Sequence, residues 1–379
     1  MLRVKLRRSA LAGLLAVFLA ISASACMGMP NPQGWASPVV DGSSVYLFTR
    51  KDRLAAIDFD ANGRATTRWT FPDRDNPNQK KIRLEAVYAT PILDDGRLYI
   101  GSFKGEVMAV STADGELAWR NAAINGSIVG DPVLAGDILL FGTTENRLYA
   151  LNKSDGTTAP GWPAGGFDTG APVWAPPAVA NGVAYFATMR GEVRAIRLAD
   201  RSEAWSEPFK VPGAVASIAL LDDTRLFVAG LNRSVNILDT ATGKAVAPMF
   251  QASDWVWNTP AFNEGIAYFG DFAGKVYALD ITTGQARWTY SAPHNKIRSG
   301  PIVIGDALVV VDRDPIVHFL DLKTGAALNT VPLIDSGTVR ADPTPDAATA
   351  LIVTTKGKLF RADPKTRSVP DIPLGGDEE

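Results

Sequence analysis

Gly274-Lys275-Val276-Tyr277-Ala278-Leu279-Asp280-Ile281-Thr282-Thr283-Gly284-Gln285-Ala286-Arg287-Trp288 reads as a short strand, a tight turn and a second strand ending on a tryptophan. Val276, Ala278 and Asp280 alternate with Tyr277 and Leu279, a period-two pattern with apolar residues on both faces. Asp280 opens the turn, and Gly284 supplies the positive φ at which the chain reverses. Trp288 is a large apolar plate with one N–H to satisfy, suited to wedging between two sheets.

The chain repeats this phrase. Copies of the first strand end at Asp58, Ser111, Asn152, Arg197, Asp239, Asp280, Asp321 and Asp363, in steps of 53, 41, 45, 42, 41, 41 and 42 residues. Two further apolar runs precede each copy. In the sixth they are Pro260-Ala261-Phe262 and Ile266-Ala267-Tyr268-Phe269-Gly270, with Asn263-Glu264-Gly265 turning between them. Pro38, Pro91, Pro132, Pro177, Pro301 and Pro343 stand where Pro260 does, and the fifth copy has Ile218 instead. A proline opening a strand costs no ladder hydrogen bond. Four short strands in roughly 41 residues, eight times over, predict an all-β chain folded as an eight-bladed β-propeller of four-stranded antiparallel blades.

The pattern Ala-Leu-Asp-x-x-Thr-Gly-x-x-x-Trp at 278–288 resembles the repeat of the pyrroloquinoline-quinone (PQQ)-like propeller superfamily, with weaker copies at Ala109 to Trp119 and Ala150 to Gly156. The resemblance covers nearly all of residues 36–370. It implies the fold and leaves function open, because enzymes and scaffolds share the repeat.

The 379 residues therefore divide into a signal peptide (1–25), a lipidated cysteine and linker (26–35), the propeller (36–372) and an acidic tail (373–379). Arg3, Lys5, Arg7 and Arg8 form the basic region of the leader, and Leu11 to Ile21 the apolar one. Ala23-Ser24-Ala25 fits an ordinary cleavage site and also resembles a bacterial lipobox ending on Cys26, the only cysteine. A lone cysteine at the first mature position can form no internal disulfide, which favours lipidation over plain secretion. Cleavage leaves 34 basic residues against 40 acidic ones, a net charge of −6. An acidic body does not invite nucleic acid. The linker Met27 to Gln33 reaches at most roughly 25 Å, so a lipidated chain faces the periplasm or the cell exterior close to its membrane.

Trp69, Trp119, Trp162, Trp205 and Trp288 take the end-of-blade position and are expected to be blade-docking core residues. Ala247-Pro248-Met249 stands there in blade five, and blades seven and eight have no tryptophan, so those junctions should be looser. The insertion Pro72 to Leu84, crowded with charge, reads as a solvated loop or, alternatively, a partner-binding protrusion.

Candidate binding residues lie in the connections before the first strand of each blade, where a propeller has one mouth of its central channel. They are Glu85, Tyr88, Trp174, Trp255, Trp257, Asn258, His294, Lys296, Arg298 and Arg340, with Asn125 and Asp342 in equivalent connections. Such a ring suits a peptide, a sugar or a cyclic acid such as PQQ, or else its aromatics plug the channel. No catalytic residues and no metal site emerge. His294 and His318 are the only histidines, no Cys/His ligand spacing occurs, and no Ser-His-Asp set falls at matching positions. The vicinal cysteine pair that many quinone-dependent dehydrogenases of the superfamily carry is absent, and no cofactor is assigned.

The compact eight-repeat body, the cysteine placed for lipidation and the short linker resemble the BamB family of non-enzymatic outer-membrane assembly lipoproteins. That resemblance implies a monomeric envelope scaffold whose partner belongs to the β-barrel assembly machinery. The leucine-and-arginine loop with which that family grips its partner has no counterpart around Ala171-Pro172-Val173-Trp174. A quinoprotein dehydrogenase or small-ligand binder, and a glycan-binding propeller using Trp174, Trp255 and Trp257, are the alternative readings.

Overall fold

A computed structural model describes residues 34–374, apart from 50–52, 61, 294, 295 and 335. The described chain forms eight four-stranded antiparallel sheets, each built from four consecutive strands in chain order, and contains no helix. This is the eight-bladed propeller expected from the repeats.

Blade six shows how the sequence produces the unit. Its strands are Ala261–Asn263, Ile266–Gly270, Lys275–Asp280 and Gln285–Ser291. Tyr268, Ala278 and Trp288 stand side by side across the last three strands. All five residues of Ile266–Gly270 are buried, because neighbouring blades cover both faces of the sheet. The outermost strand alternates exposed and half-buried residues. First strands of adjacent blades approach one another, so they are innermost and surround the central channel.

Apolar clusters fill the spaces between blades. One joins Ile266, Tyr268, Val276 and Ala278 of blade six to Leu308, Val310 and Leu320 of blade seven. Another joins Val45, Leu47, Ala55 and Ile57 of blade one to Leu351 and Leu359 of blade eight, and it closes the ring. Asp371–Ile372 supplies the last outer strand of blade eight, and neither Gly34 nor Trp35 joins that sheet. Closure rests on side-chain packing and on the Thr344 hydroxyl, which donates to the Pro38 carbonyl at 2.8 Å.

The tryptophans dock onto the turns of the next blade. The Nε1–H groups of Trp69, Trp119, Trp205 and Trp288 donate to the carbonyls of Thr112, Lys153, Thr240 and Leu322 at 2.8–3.1 Å. Each indole lies on the turn glycine of that blade. A Cβ at Gly156 would come within 2.4 Å of the Trp119 ring. Only glycine fits there, since φ is also +73°.

Trp162 is buried differently. Blade four carries Arg201, at φ 63°, where the other turns have glycine. The Trp162 Nε1–H has no hydrogen-bond partner. At the tryptophan-free junctions other groups cover the turns. The Pro248 carbonyl lies over Gly284, and the Asn329 amide donates to the Arg367 carbonyl at 2.8 Å.

The insertion at 72–84 departs from the expected solvated loop. Ile82 and Leu84 are buried in the cluster between blades one and two. Gln79, 2% exposed, donates to the Gly115 carbonyl and to Glu116, and accepts from the Asp73 N–H. Asn76 also donates to Glu116. The segment straps two blades together and turns Arg74, Lys80, Lys81 and Arg83 outward.

Candidate functional site

The channel is lined by the residues leading into the eight first strands, in two layers. The residue just before the strand-opening proline forms the lower layer in six blades: Ser37, Thr90, Asp131, Pro176, Thr259 and Asp342, with Ser217 in blade five. The residue two positions earlier forms the upper layer, which is aromatic and cationic: Trp35, Tyr88, Trp174, Trp257, Arg298 and Arg340, with Val129 as the exception. A residue preceding proline is held extended, so the two layers are separated by roughly 6.6 Å of chain. Together they line a solvent-open cavity of about 90 Å³.

In the upper layer Trp35 and Tyr88 pack with ring centroids 4.0 Å apart, and Trp174 meets Trp257 edge-on at 6.4 Å. The Arg298 guanidinium lies 4.1 Å from the centre of the Trp35 ring and 5.6 Å from that of Trp257. Arg340 lies 5.8 Å from Trp35. Among the described residues neither guanidinium has a carboxylate within ion-pair distance. Burial, then the charges of Arg340 and Arg313, bring the Arg298 pKa down to about 10, which still leaves it charged at neutral pH.

In the lower layer Asp131 accepts the Thr90 N–H at 2.6 Å, and Asp342 accepts the Gly300 N–H at 2.5 Å. Burial raises the Asp131 pKa to about 7, with the Asp342 charge adding to the rise. Burial likewise raises Asp342 to about 6, opposed by the Gly300 N–H and by Arg298. A register shift between Val215 and Ser217 turns the first strand of blade five, and Ser217 lines the cavity. Ser217 is 1% exposed, and its hydroxyl has no hydrogen-bond partner. The buried Nε1–H of Trp174 has none either.

Asn258 also lines the cavity, and the other remaining candidates fall elsewhere. Asn258, 3% exposed, spends its amide on the backbone: it donates to the Gly270 carbonyl at 2.9 Å and accepts the Gly270 N–H at 3.2 Å. Glu85, at φ 54°, sits on the rim with Lys104 3.9 Å away. Trp255 and Lys296 also sit on the rim, away from the throat. Trp255 is 45% exposed and packs against Phe272 at 6.1 Å, and the Lys296 ammonium lies 5.6 Å from the centre of the Phe272 ring. The Arg313 N–H donates to the Lys296 carbonyl at 3.0 Å, bringing a further exposed cation to the patch. His294 and Cys26 lie outside the described residues. Sequence reasoning missed Trp35, Asp131 and Ser217. Their common signal is position relative to the recurring prolines.

Nothing in this geometry assembles a nucleophile, base and oxyanion site. His318 of blade seven is 1% exposed, and its ring lies between Asp312 (3.0 Å) and the hydroxyl of Tyr290 from blade six (3.1 Å). No cluster of three or more potential metal-ligating His, Cys, Asp or Glu side chains occurs among the described residues.

Comparison with known proteins agrees with the fold. The outer membrane protein assembly factor BamB of Moranella endobia is 23% identical over 350 residues, covering 83% of this chain and 84% of its own. The crystal structure of BamB from Moraxella catarrhalis superposes with a TM-score of 0.65 at 16% identity, covering 86% of this chain and 93% of that one. A europium-containing methanol dehydrogenase superposes with a TM-score of 0.63 at 14% identity, covering 86% and 81%. The propeller alone therefore does not separate scaffold from enzyme. A family model described as outer membrane protein assembly factor BamB matches residues 33–161 and 161–369, and the chain belongs to that family.

Proposed function

We propose that the protein is a non-enzymatic scaffold of outer-membrane β-barrel assembly, anchored by a lipid at Cys26 and facing the periplasm as a monomeric propeller. The family match supports the class of function. One structural observation carries the docking surface: the exposed rim patch of Trp255, Phe272, Lys296 and Arg313 over blades six and seven. Large aromatics and cations are the side chains that dominate protein–protein binding energy, and this tryptophan is left outside every blade interface. The same sector presents two long outer edges, Gln285–Ser291 and Ala327–Pro332, where blades three, four, five and eight have outer strands of two residues. A partner gripping the rim patch can pair a strand onto either edge.

The test is a crosslinked pull-down from detergent-solubilised native membranes, comparing wild type with Trp255→Ala and Lys296→Glu. Enrichment of a β-barrel assembly protein by wild type, lost in both variants, supports the proposal. Equal recovery by all three moves the interface elsewhere. Recovery of the propeller alone in every case rejects the scaffold function.

A further inference from the structure

We propose that the throat of the propeller is a binding site for a small ω-amino acid, with its carboxylate between Arg298 and Arg340 and its protonated amine among Asp131, Asp342 and Ser217. The inference is independent of the rim patch and of the partner it grips.

Three observations carry it. First, two guanidiniums are held over the face of Trp35 with no carboxylate partner among the described residues. Each presents a rigid fork of donors that matches a carboxylate, and each repels the other until an anion arrives. Second, the layer below carries two half-buried carboxyl groups: Asp131 accepts from Thr90, and Asp342 accepts the Gly300 N–H with the Arg298 charge nearby. A cation placed between them would favour their charged forms. Third, the Ser217 hydroxyl and the Trp174 N–H are buried against the cavity and bond to nothing in the protein. Leaving such groups unpaired is costly, so a polar occupant stabilises the throat.

The two layers are two residues of extended chain apart, roughly 6.6 Å. A five-carbon chain with an acid at one end and an amine at the other is of comparable length, and its methylenes would lie against Trp174 and Trp257.

The probe is 5-aminopentanoate, added to the full mature protein at pH 8, with pentanoate and pentylamine as half-ligands. Calorimetric titration and thermal unfolding are read together. The amino acid should bind at least about tenfold more tightly than either half, since each end makes charged contacts. Arg340→Gln should bring it down to the affinity of pentylamine, and Asp131→Asn to that of pentanoate. Asp342→Asn stands in if Asp131→Asn does not fold. Two results overturn the proposal: no binding and no stabilisation by any of the three, which leaves the throat to water, or pentanoate binding as tightly as the amino acid.

Discussion

Replacing one tryptophan at a time by phenylalanine should separate true blade docking from mere burial. Trp119 and Trp162 are buried alike, at 9% and 7% exposure. Their polar ends differ: the Trp119 N–H donates to the Lys153 carbonyl at 3.0 Å, whereas the Trp162 N–H has no partner. Phenylalanine removes a few buried apolar atoms at either site, about 1–2 kcal/mol. At 119 it also removes a hydrogen bond and strands a partly buried carbonyl, adding about 1–2 kcal/mol. At 162 it deletes an unsatisfied buried donor, which offsets the lost area by about 1–3 kcal/mol. The expected costs are about 2–4 kcal/mol for Trp119→Phe and close to zero for Trp162→Phe. At ~2.1 cal/mol/K per residue over roughly 340 residues, unfolding entropy is about 0.7 kcal/mol/K, so Tm should fall by about 3–6 °C in the first variant and hardly at all in the second. Calorimetry at matched concentration and pH reads this directly. Equal losses at both positions would refute the view that the indole N–H and the turn glycine define the docking site.

Asp131→Asn should stabilise the ligand-free protein at pH 8 and have little effect at pH 4. Its carboxyl is raised from an ordinary value of 3.8 to about 7, so the folded state holds a proton that the unfolded state releases, and stability falls as pH rises through that window. The upper limit of the gain is about 4 kcal/mol at 1.36 kcal/mol per pH unit, and urea titrations at the two pH values measure it. Asn258→Ala should cost about 2–4 kcal/mol, because the Gly270 N–H and C=O lose their side-chain partner in a buried site; a neutral result in chemical unfolding would return Asn258 to the list of binding residues. Cys26→Ser should move the protein from the membrane to the soluble fraction on fractionation, and unchanged membrane retention would rule out a lipid anchor there.

The architecture was legible because its devices recur: the turn glycines, the strand-opening prolines and the docking tryptophans mark blades at steps near 41 residues. The throat was half legible. Trp174, Trp257, Arg298 and Arg340 stood out as large residues that the repeat does not require, and the structure brings all four to the upper layer. Apart from Asp342, the lower layer escaped because what recurs there is a position rather than a residue type. Ser37, Asp131 and Pro176 share only a following proline. Trp35 escaped because it falls where the linker was expected to run. Charge misled the reading of 72–84, since Gln79, Ile82 and Leu84 are spaced among the charged residues and bury themselves between them. At Trp162 the chemistry of the next blade decides the outcome, through Arg201 in place of a glycine some forty residues away.

The central claim, a scaffold that grips an assembly partner through its rim, is tested most directly by placing a photo-activated crosslinking residue at Trp255 and, as a control, at Met249, which is 55% exposed in blade five. After irradiation of native membranes, the account predicts a covalent adduct from position 255 with a β-barrel assembly protein, absent from position 249 and lost on Lys296→Glu. No adduct from 255, or the same adduct from both positions, would contradict it.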